Sequence, residues 1–304
     1  MRQPPYLTKG NKIGIVATAR KIAKEELQPA IDVFNSWGLE VVLGKNLFES
    51  DHQFSGTDEQ RAQDLQQLLD DVSVKAIIVA RGGYGSIRII DQIDFTTYQQ
   101  MPKWVIGYSD ITVLHCHIHQ LSGIPTLHAT MPINFPNQQN GGGALITLKE
   151  ILFGEKINYT FDEHYLNKKG IAKGILIGGN LSVMYSMLGS VSFPDTDGKI
   201  LFIEDLDEYL YHIDRMMMGL KRAGMLSNLA GLVVGGMSDM RDNTIPFGKT
   251  PEEIIIEAVA EYNYPVCFGF PAGHITDNRA MKLGANHTLS VAKGNCSLNE
   301  IYEA

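Results

Sequence analysis

The sequence is poor in cysteine and has no long apolar segment. Its three cysteines, Cys116, Cys267 and Cys296, lie far apart and form no C-x-x-C pair. We therefore expect neither a disulfide framework nor a cysteine-based zinc site. Residues 1–6 (MRQPPY) lack the apolar stretch of a secretory signal, and no apolar run approaches the roughly 18 residues that a membrane span needs. These absences predict a protein of the reducing cytoplasm.

Basic charge is also scarce. The 304 residues carry a formal net charge of −8 at pH 7. Nucleic acids and anionic membranes are bound through basic surface, so neither is expected as a partner, although one or two local arginines could still hold a small anionic substrate. The hydrophobic content of 44% is ample for a buried core. A chain of this length fits two domains of roughly 150 residues each.

The first 135 residues alternate short apolar runs with longer amphipathic stretches. Helical spacing of apolar residues extends over 25–37 and stops at Gly38, and Thr57 with Gln60 has the pattern of a capping box that opens a helix. A further helix is predicted from about 111 to 121. The predicted strands are residues 12–17, 40–43, 76–80 and 104–106. Strand–helix repetition of this kind predicts an N-terminal α/β domain, residues 1–135, with a parallel sheet covered on both faces.

From residue 136 the pattern changes. Residues 136–170, which begin with Pro136 and the loop-like run 137–143 (NQQNGGG), are predicted to be a linker region. Residues 171–304 form the predicted C-terminal domain, with short apolar runs separated by glycine and proline from Val266 onward. Its other predicted elements are strands at 173–177, 199–203 and 231–234 and helices at 211–223 and 251–262. We expect this domain to be mixed α/β and rich in β structure.

A serine lies in the turn between a predicted strand and the helix that follows. The segment 105–112 reads VIGYSDIT, an apolar strand followed by a glycine, one residue, Ser109 and a helix. A nucleophile elbow has this arrangement, because a tight turn exposes the serine oxygen beside the N–H groups of a helix. Ile111 stands where G-x-S-x-G has its second glycine. From this motif alone, Ser109 or Asp110 could equally be a plain helix N-cap.

A glycine-rich turn follows the strand at 76–80. Residues 81–86 read RGGYGS, and glycines there let a ligand approach the backbone closely. The turn could cradle a phosphate, or it could donate an N–H to an oxyanion while Arg81 holds a carboxylate. It matches neither G-x-G-x-x-G nor the P-loop. A tight turn without any ligand is the third interpretation.

An acidic run and a loop histidine complete the candidates. Residues 204–208 (EDLDE) follow a predicted strand, and Glu204, nearest the strand, is the acid held most rigidly. Such acids can bind a metal, orient a histidine or simply face solvent. His274 follows Pro271 and Gly273 in a predicted loop, and it is placed for general-base chemistry because imidazole titrates near neutral pH. An ordinary loop histidine is the alternative.

Two other clusters have simpler explanations. His115, His117 and His119 resemble metal ligands, but on a helix His117 points away from the other two, and no H-E-x-x-H is present. No metal and no cofactor are therefore expected. The run 216–218 of three methionines is expected to fill a core or an interface.

Six segments together resemble one family over nearly the whole chain, in its order and at its approximate spacing. The family is that of the LD-carboxypeptidases, serine peptidases that also include the microcin C7 self-immunity proteins. The matching segments are 54–61 (FSGTDEQR), 80–85 (ARGGYG), 107–112 (GYSDIT), 178–182 (GGNLS), 202–205 (FIED) and 273–274 (GH).

The resemblance implies a Ser-His-Glu triad. Ser109 would be the nucleophile, His274 the general base, and Glu204 the acid that orients and stabilises the imidazolium. The N–H groups of Gly83 and Asp110 would form the oxyanion hole. Candidates for substrate contact in the matching segments are Arg81, Tyr84 and Asn180.

The resemblance also implies a substrate and an assembly. Members of the family remove the terminal D-alanine of murein tetrapeptides in the cytoplasm during cell-wall recycling, and they cut after the L-centre of meso-diaminopimelate. They form homodimers, with the site between the two domains. The alternatives are a microcin-immunity-like amidase, a small-molecule kinase that uses residues 82–86, and an inactive binding protein on the same fold.

Two segments depart from the family pattern. Residues 17–20 (ATAR) replace a turn rich in proline and serine, and residues 278–284 (NRAMKLG) lack an expected Leu-Pro pair. Both departures fall beside the expected site, and they concern the substrate more than the mechanism.

Overall fold

The computed structural model describes residues 3–138 and 143–302. In chain order, the strands are β1 (Lys12–Val16), β2 (Glu40–Leu43), β3 (Val74–Val79), β4 (Trp104–Gly107), β5 (Thr126–His128), β6 (Asn158–Phe161), β7 (Gly170–Asn180), β8 (Ile200–Leu206), β9 (Gly231–Ser238), β10 (Val266–Cys267), β11 (Met281–Leu283), β12 (Asn286–Ala292) and β13 (Asn295–Glu300).

The helices lie between the strands, as the alternating pattern predicts. They are α1 (Lys24–Ser36), α2 (Asp58–Asp70), α3 (Ser86–Ile89), α4 (Thr96–Gln100), α5 (Thr112–Ser122), α6 (Gly143–Leu152), α7 (Leu181–Ser186), α8 (Leu210–Arg222) and α9 (Pro251–Ala258). Short 3₁₀ turns cover Ile90–Gln92, Ser109–Ile111 and Pro132–Gln138. In the described part of the chain, none of the helices combines the length and the apolar character of a bilayer-crossing segment.

Local sequence signals explain several helix ends. The capping box is confirmed at α2, where the Thr57 hydroxyl accepts the Gln60 N–H at 3.2 Å and the Gln60 side chain accepts the Thr57 N–H at 2.9 Å. The stop after α1 is confirmed as well, since Gly38 follows with a φ of +80° that favours glycine.

The first sheet has the order β2-β1-β3-β4-β5-β11 among the described residues. β1 to β5 are parallel, as predicted, and β11 pairs antiparallel with β5. The strand order reverses between β1 and β3, and ligands of such sheets bind at the carboxyl ends of the strands near this reversal. Arg20 follows β1, Arg81 follows β3 and Ser109 follows β4, so this edge of the sheet collects candidate site residues.

The second sheet has the order β10-β9-β8-β7-β12-β13-β6 among the described residues. β7 to β10 are parallel, while β12, β13 and β6 add antiparallel pairs. The predicted mixed, β-rich C-terminal architecture is thereby confirmed. Glu204 lies in β8 at an irregularity of register, because Ile203 pairs with Val234 whereas Asp205 pairs with Met237. One extra residue of β9 therefore faces Glu204, a β-bulge of the kind found beside active sites.

Successive strand residues face different hydrophobic cores. In β3, Ile78 packs toward α1 and α6, whereas Val79 packs toward α2 and α5. The core around Val79 continues into the C-terminal half, where it includes Leu201 of β8 and Met216 of α8. Phe202 of β8 faces a third core on the other side of the second sheet. A shared core thus connects the two sheets and fixes the ends of β4 and β8 relative to each other.

The segment 136–170 contains more regular structure than a linker has. Leu148 and Leu152 of α6 are buried against the first sheet, and β6 pairs with β13 in the second sheet. The apolar residues of α6 recur at helical spacing. The preceding run of amide and glycine residues nevertheless favoured the prediction of a loop. Residues 139–142 of the predicted loop lie outside the described residues. The domain boundaries at 135 and 171 stay a prediction, and β11 shows that a strand from the C-terminal half completes the N-terminal sheet.

Candidate active site

Ser109 lies on a sharp turn at the carboxyl end of β4. Its φ is +63°, in the left-handed region that residues other than glycine rarely adopt, at a cost of roughly 1–3 kcal/mol. Gly107 makes the turn possible, since a Cβ on it would lie 2.7 Å from Cγ1 of Ile111. Ile111, which replaces the second glycine of the motif, thus fits against the first. The strained serine, like others at functional sites, is held half-buried at the surface of the turn by the packing around it.

Ser109, His274 and Glu204 form one hydrogen-bonded chain. Nε2 of His274 lies 3.1 Å from Oγ of Ser109, and Nδ1 of His274 lies 2.7 Å from Oε2 of Glu204. Because the carboxylate only accepts, Nδ1 carries the ring proton, and Nε2 is left to accept the proton of the serine hydroxyl. The first sheet supplies the serine and the second supplies the acid, while the histidine lies in the loop that leads from β10 of the second sheet to β11 of the first.

The surroundings of Glu204 explain its placement. Its side chain is fully buried, and Oε2 also accepts the backbone N–H of His274 at 3.1 Å. Gly273 has a φ of +105°, and a Cβ on it would lie 2.6 Å from Oε2 of Glu204. The glycine before the histidine is therefore required for the close approach. Asn278 accepts the Gly273 N–H at 2.8 Å and further fixes the loop.

Opposing effects set the pKa of His274. Burial lowers it, while the hydrogen bond that His274 donates to Glu204 and the negative charge of that residue raise it more, so the net shift is upward. A higher pKa strengthens the imidazole as a proton acceptor. The arrangement can therefore withdraw the proton of Ser109 and hold it on an imidazolium paired with a buried carboxylate.

The glycine loop after β3 lies against Ser109. A Cβ on Gly82 would lie 3.1 Å from Cβ and 3.2 Å from Oγ of Ser109. The carboxylate of Asp110 is buried, accepts the Ser86 N–H at 2.8 Å and thereby links the elbow to the loop; burial raises its pKa. The hydroxyl of Ser109 bonds to His274, and the carboxylate of Asp110 bonds to the Ser86 N–H. Neither side chain therefore caps the helix α5 that follows.

A cavity of about 250 Å³ opens over Ser109 and His274. A neighbouring cavity of about 540 Å³ shares Tyr108 and His274 with it and extends to Asp239. The side chains and backbone that line the smaller cavity belong to Arg20, Arg81, Gly82, Gly83, Tyr108, Ser109, Met131, Ile133, Asn134, Leu206 and His274. The smaller cavity gives a substrate access to Ser109 and His274, and the larger one extends the available space beyond His274.

The three candidates for substrate contact occupy different places. Arg81 lines the cavity of Ser109. Tyr84 is 52% exposed and lies near Phe54, and it is not among the residues that line either cavity. Asn180 is buried, its amide donates to Asp205, and its oxygen caps α7 through the Val183 N–H. These contacts give Asn180 a structural role within β7 and α7, and substrate contact by Tyr84 or Asn180 stays a prediction.

Three residues near the site were not named as site candidates from the sequence, although each lies in a segment that the sequence analysis singled out. Arg20 lines the cavity. Arg61 is buried and donates to the carbonyl oxygens of Thr18 and Gly85; its signal was its place at the end of the motif segment 54–61. Asp205 is buried beside Glu204, and burial followed by the charge of Glu204 raises its pKa to about 7.

The histidine cluster of α5 and the methionine run of α8 have structural roles. His115 is buried and bonds to Thr126 at 2.8 Å and to the carbonyl oxygen of Gly107 at 3.0 Å, which supports the elbow from below. Burial lowers its pKa to about 4. Across the described residues, no group of three or more His, Cys, Asp or Glu side chains is arranged to hold a metal ion. Met216 and Met217 are buried in the core, as expected, whereas Met218 is 40% exposed.

Two family models match the chain. That of the LD-carboxypeptidase N-terminal domain matches residues 13–129, and that of the LD-carboxypeptidase C-terminal domain matches residues 173–289. The probable murein peptide carboxypeptidase of Bacillus subtilis is 36% identical over 298 residues, which cover 96% of this chain and 92% of the relative. The chain belongs to the LD-carboxypeptidase family.

Further relatives of this LD-carboxypeptidase family member agree in fold and length. Muramoyltetrapeptide carboxypeptidase from Oxalobacter formigenes has a TM-score of 0.88 and 26% identity, covering 97% of this chain and 100% of that one. The microcin C7 self-immunity protein of Escherichia coli is 26% identical over 331 residues, covering 97% of this chain and 95% of the relative. The predicted family and fold class are confirmed. The chain is a serine-type peptidase, and the kinase interpretation of residues 82–86 has no support.

Proposed function

We propose that the protein is an LD-carboxypeptidase that releases the terminal D-alanine of a murein tetrapeptide through a Ser109-His274-Glu204 triad. The observation that carries the proposal is the hydrogen-bonded chain from Ser109 through His274 to the buried Glu204. A serine hydroxyl is a poor nucleophile until a base removes its proton, and a base needs an acceptor to hold one tautomer. The chain of contacts meets both requirements.

The reaction follows from these positions. Oγ of Ser109 attacks the carbonyl carbon at the L-centre of diaminopimelate, and Nε2 of His274 takes the hydroxyl proton. The tetrahedral intermediate collapses, the C–N bond breaks, and His274 returns the proton to the amine of the leaving D-alanine. Water then attacks the ester on Ser109, His274 takes one water proton and passes it to Oγ, and the tripeptide leaves with a new carboxylate.

The oxyanion of the intermediate needs N–H donors. We assign this role to the backbone N–H groups of Gly83 and Asp110 because the glycine loop and the elbow meet at Ser109. The N–H of Gly83 has no acceptor within the described part of the chain, so it is free to donate to a substrate oxygen. Loss of one such donor costs roughly 3–4 kcal/mol of transition-state stabilisation.

The substrate is proposed from the relatives and from the site. Two relatives are named for murein peptides, the Bacillus and Oxalobacter proteins. The two neighbouring cavities that share His274 suit a peptide that extends past the scissile bond. A microcin-type activity is the second candidate, since the microcin C7 self-immunity protein matches nearly the whole chain.

The decisive experiment measures D-alanine release from L-Ala-γ-D-Glu-meso-Dap-D-Ala in EDTA. We expect turnover in the wild type, its loss in Ser109→Ala, and full activity in the matched control Ser36→Ala, whose hydroxyl bonds within α1. Aspartyl sulfamoyl adenosine, a ligand named for the immunity protein, serves as the parallel substrate. Activity that survives Ser109→Ala, or that EDTA stops, would refute the triad, and turnover of the sulfamoyl adenosine alone would favour the microcin candidate.

The proposal includes a cytoplasmic location and a homodimer, as the family resemblance implies. Cys116, Cys267 and Cys296 are free and buried, which suits a reducing compartment. Cell fractionation tests the location, and sedimentation velocity tests the assembly.

A further inference from the structure

Two arginines of the Ser109 cavity have no acidic partner. Arg20 and Arg81 both line it, and neither forms an ion pair with any residue that the structure describes. By contrast, Arg61, Arg88 and Arg241 each pair with an aspartate. In a chain of net charge −8, two unpaired guanidiniums beside the serine make this cavity a local attractor for an anion.

The position of Arg20 is fixed at both its backbone and its stem. The backbone forms an antiparallel bridge with Phe54, flanked by a hydrogen bond from the Lys21 N–H to the Gln53 carbonyl oxygen at 3.0 Å. The stem lies over the glycine loop, because a Cβ on Gly83 would be 2.4 Å from both Cγ and Cδ of Arg20. The absence of a side chain at Gly83 thus allows the guanidinium of Arg20 to reach the cavity.

We infer that Arg20 determines specificity by binding, together with Arg81, the free carboxylate of the residue that leaves. The inference rests on the proposed function. A guanidinium presents a planar fork that matches the two oxygens of a carboxylate, and two forks satisfy it from two sides. A peptide bond or a terminal amide at the same place carries no charge. The pair therefore explains why the enzyme would remove a terminal residue and leave internal bonds uncut.

Arg20 lies outside the six segments that carry the family resemblance. It ends the segment ATAR at 17–20, where the sequence departs from the turn rich in proline and serine that the family resemblance leads one to expect. Arg81 lies in the shared glycine-loop motif. Arg20 therefore adds a second cation to a site that the motif supplies with one.

The test uses two substrates that differ only at the C-terminus, the tetrapeptide with D-alanine and the same peptide with D-alanine amide. We expect Arg20→Gln to lower kcat/KM for the acid about ten- to a hundredfold, mainly through KM, and to leave the amide nearly unaffected. Arg20→Lys should give an intermediate kcat/KM for the acid, since an ammonium keeps the charge but lacks the planar guanidinium that matches both carboxylate oxygens. The matched control Lys21→Gln, whose ammonium bonds to Ser50, should change neither substrate.

Two results would overturn the inference. Equal loss on both substrates would make Arg20 a support of the glycine loop, and no loss in either Arg20 variant would leave it without a role in recognition. Calorimetric titration of both peptides into Ser109→Ala and Ser109→Ala/Arg20→Gln separates recognition from turnover. If the wild type releases no D-alanine, the proposed function fails, while selective weakening of acid binding in the double variant still decides the role of Arg20.

Discussion

At the scale of single residues, Glu204 sets the proton affinity of His274. It accepts the ring Nδ1–H at 2.7 Å and the backbone N–H at 3.1 Å of that residue. Burial alone would lower the pKa of His274, and the hydrogen bond and charge of Glu204 raise it above the usual value near 6.5. Since the imidazole must be neutral to act as the proposed base, we expect full activity above this raised pKa and its loss as the pH falls through it.

The substitution Glu204→Gln separates the effect of the carboxylate on the pKa of His274 from the effect of burial. We expect kcat to fall about 10²–10⁴-fold, because an amide stabilises the imidazolium less and can select the wrong tautomer. The acidic limb of the profile of kcat/KM against pH should move to lower pH, because burial then acts without the opposing carboxylate. Measurement of D-alanine release from pH 5 to 9 gives both quantities.

The same acidic run offers the control. Glu208 bonds to His212 of α8 rather than to His274, so Glu208→Gln removes an equal charge without removing a bond of the triad. Its profile should match that of the wild type. An acidic limb that stays in place in Glu204→Gln would show that another group titrates, and the proposed role of the acid would be wrong.

At the scale of elements, Arg61 of α2 connects the turns after β1 and β3. Its buried guanidinium donates to the carbonyl oxygens of Thr18 and Gly85 and pairs with Asp58. Thr18 precedes Arg20 by two residues, and Gly85 follows the loop that contains Gly83. One side chain thus holds together the two turns that form the wall of the cavity.

Arg61→Met should disturb both stability and catalysis. Two buried carbonyl oxygens lose their donor, and we expect a loss of about 2–4 kcal/mol in the free energy of unfolding. The freed turns should also lower kcat/KM for the tetrapeptide. Urea unfolding and steady-state kinetics measure the two effects. Arg88→Met, which removes an exposed arginine from the same Asp58, is the control and should change both much less; equal effects of the two variants would contradict this role.

Features that depend on neighbouring residues could be predicted from the sequence, whereas features that depend on distant residues could not. The strands of the first sheet, the capping box of α2 and the order of the six motifs follow from neighbours in the chain, and they could be predicted. The three-residue strand β11 could not, because its pairing with β5 joins residues more than 150 positions apart. The helix α6 was missed because a neighbouring run of glycine and amide residues outweighed its apolar spacing.

The same distinction between local and distant features applies to the residues of the site. Ser109, Glu204 and His274 each follow or end a recognisable strand or loop motif, so the sequence could point to them. Arg20 reaches the cavity only because β1 and β3 are neighbours in the sheet and because Gly83 leaves room for its stem. Such adjacency depends on the assembled sheet, and no periodicity along the chain expresses it.

At the scale of the whole molecule, one hydrophobic core spans both halves of the chain. It includes Val79 and Leu114 from the N-terminal half and Leu201 and Met216 from the C-terminal half. The site depends on this core, because Ser109 comes from the first sheet, Glu204 comes from the second, and His274 lies in the loop that connects β10 of the second sheet to β11 of the first. We therefore expect the halves to unfold as a single cooperative unit, with the triad dissolving in the same step.

Two methionines of α8 test whether the two halves unfold in one cooperative step. Met216 is fully buried and Met218 is 40% exposed, so Met216→Ala should lower the free energy of unfolding by about 2–5 kcal/mol and Met218→Ala far less. Both tryptophans, Trp37 and Trp104, lie in the N-terminal half. Their fluorescence should nevertheless follow the C-terminal substitution, with a urea midpoint that coincides with that from far-ultraviolet circular dichroism. Separate midpoints, or fluorescence insensitive to Met216→Ala, would mean that the halves fold independently and that the triad forms only when they dock.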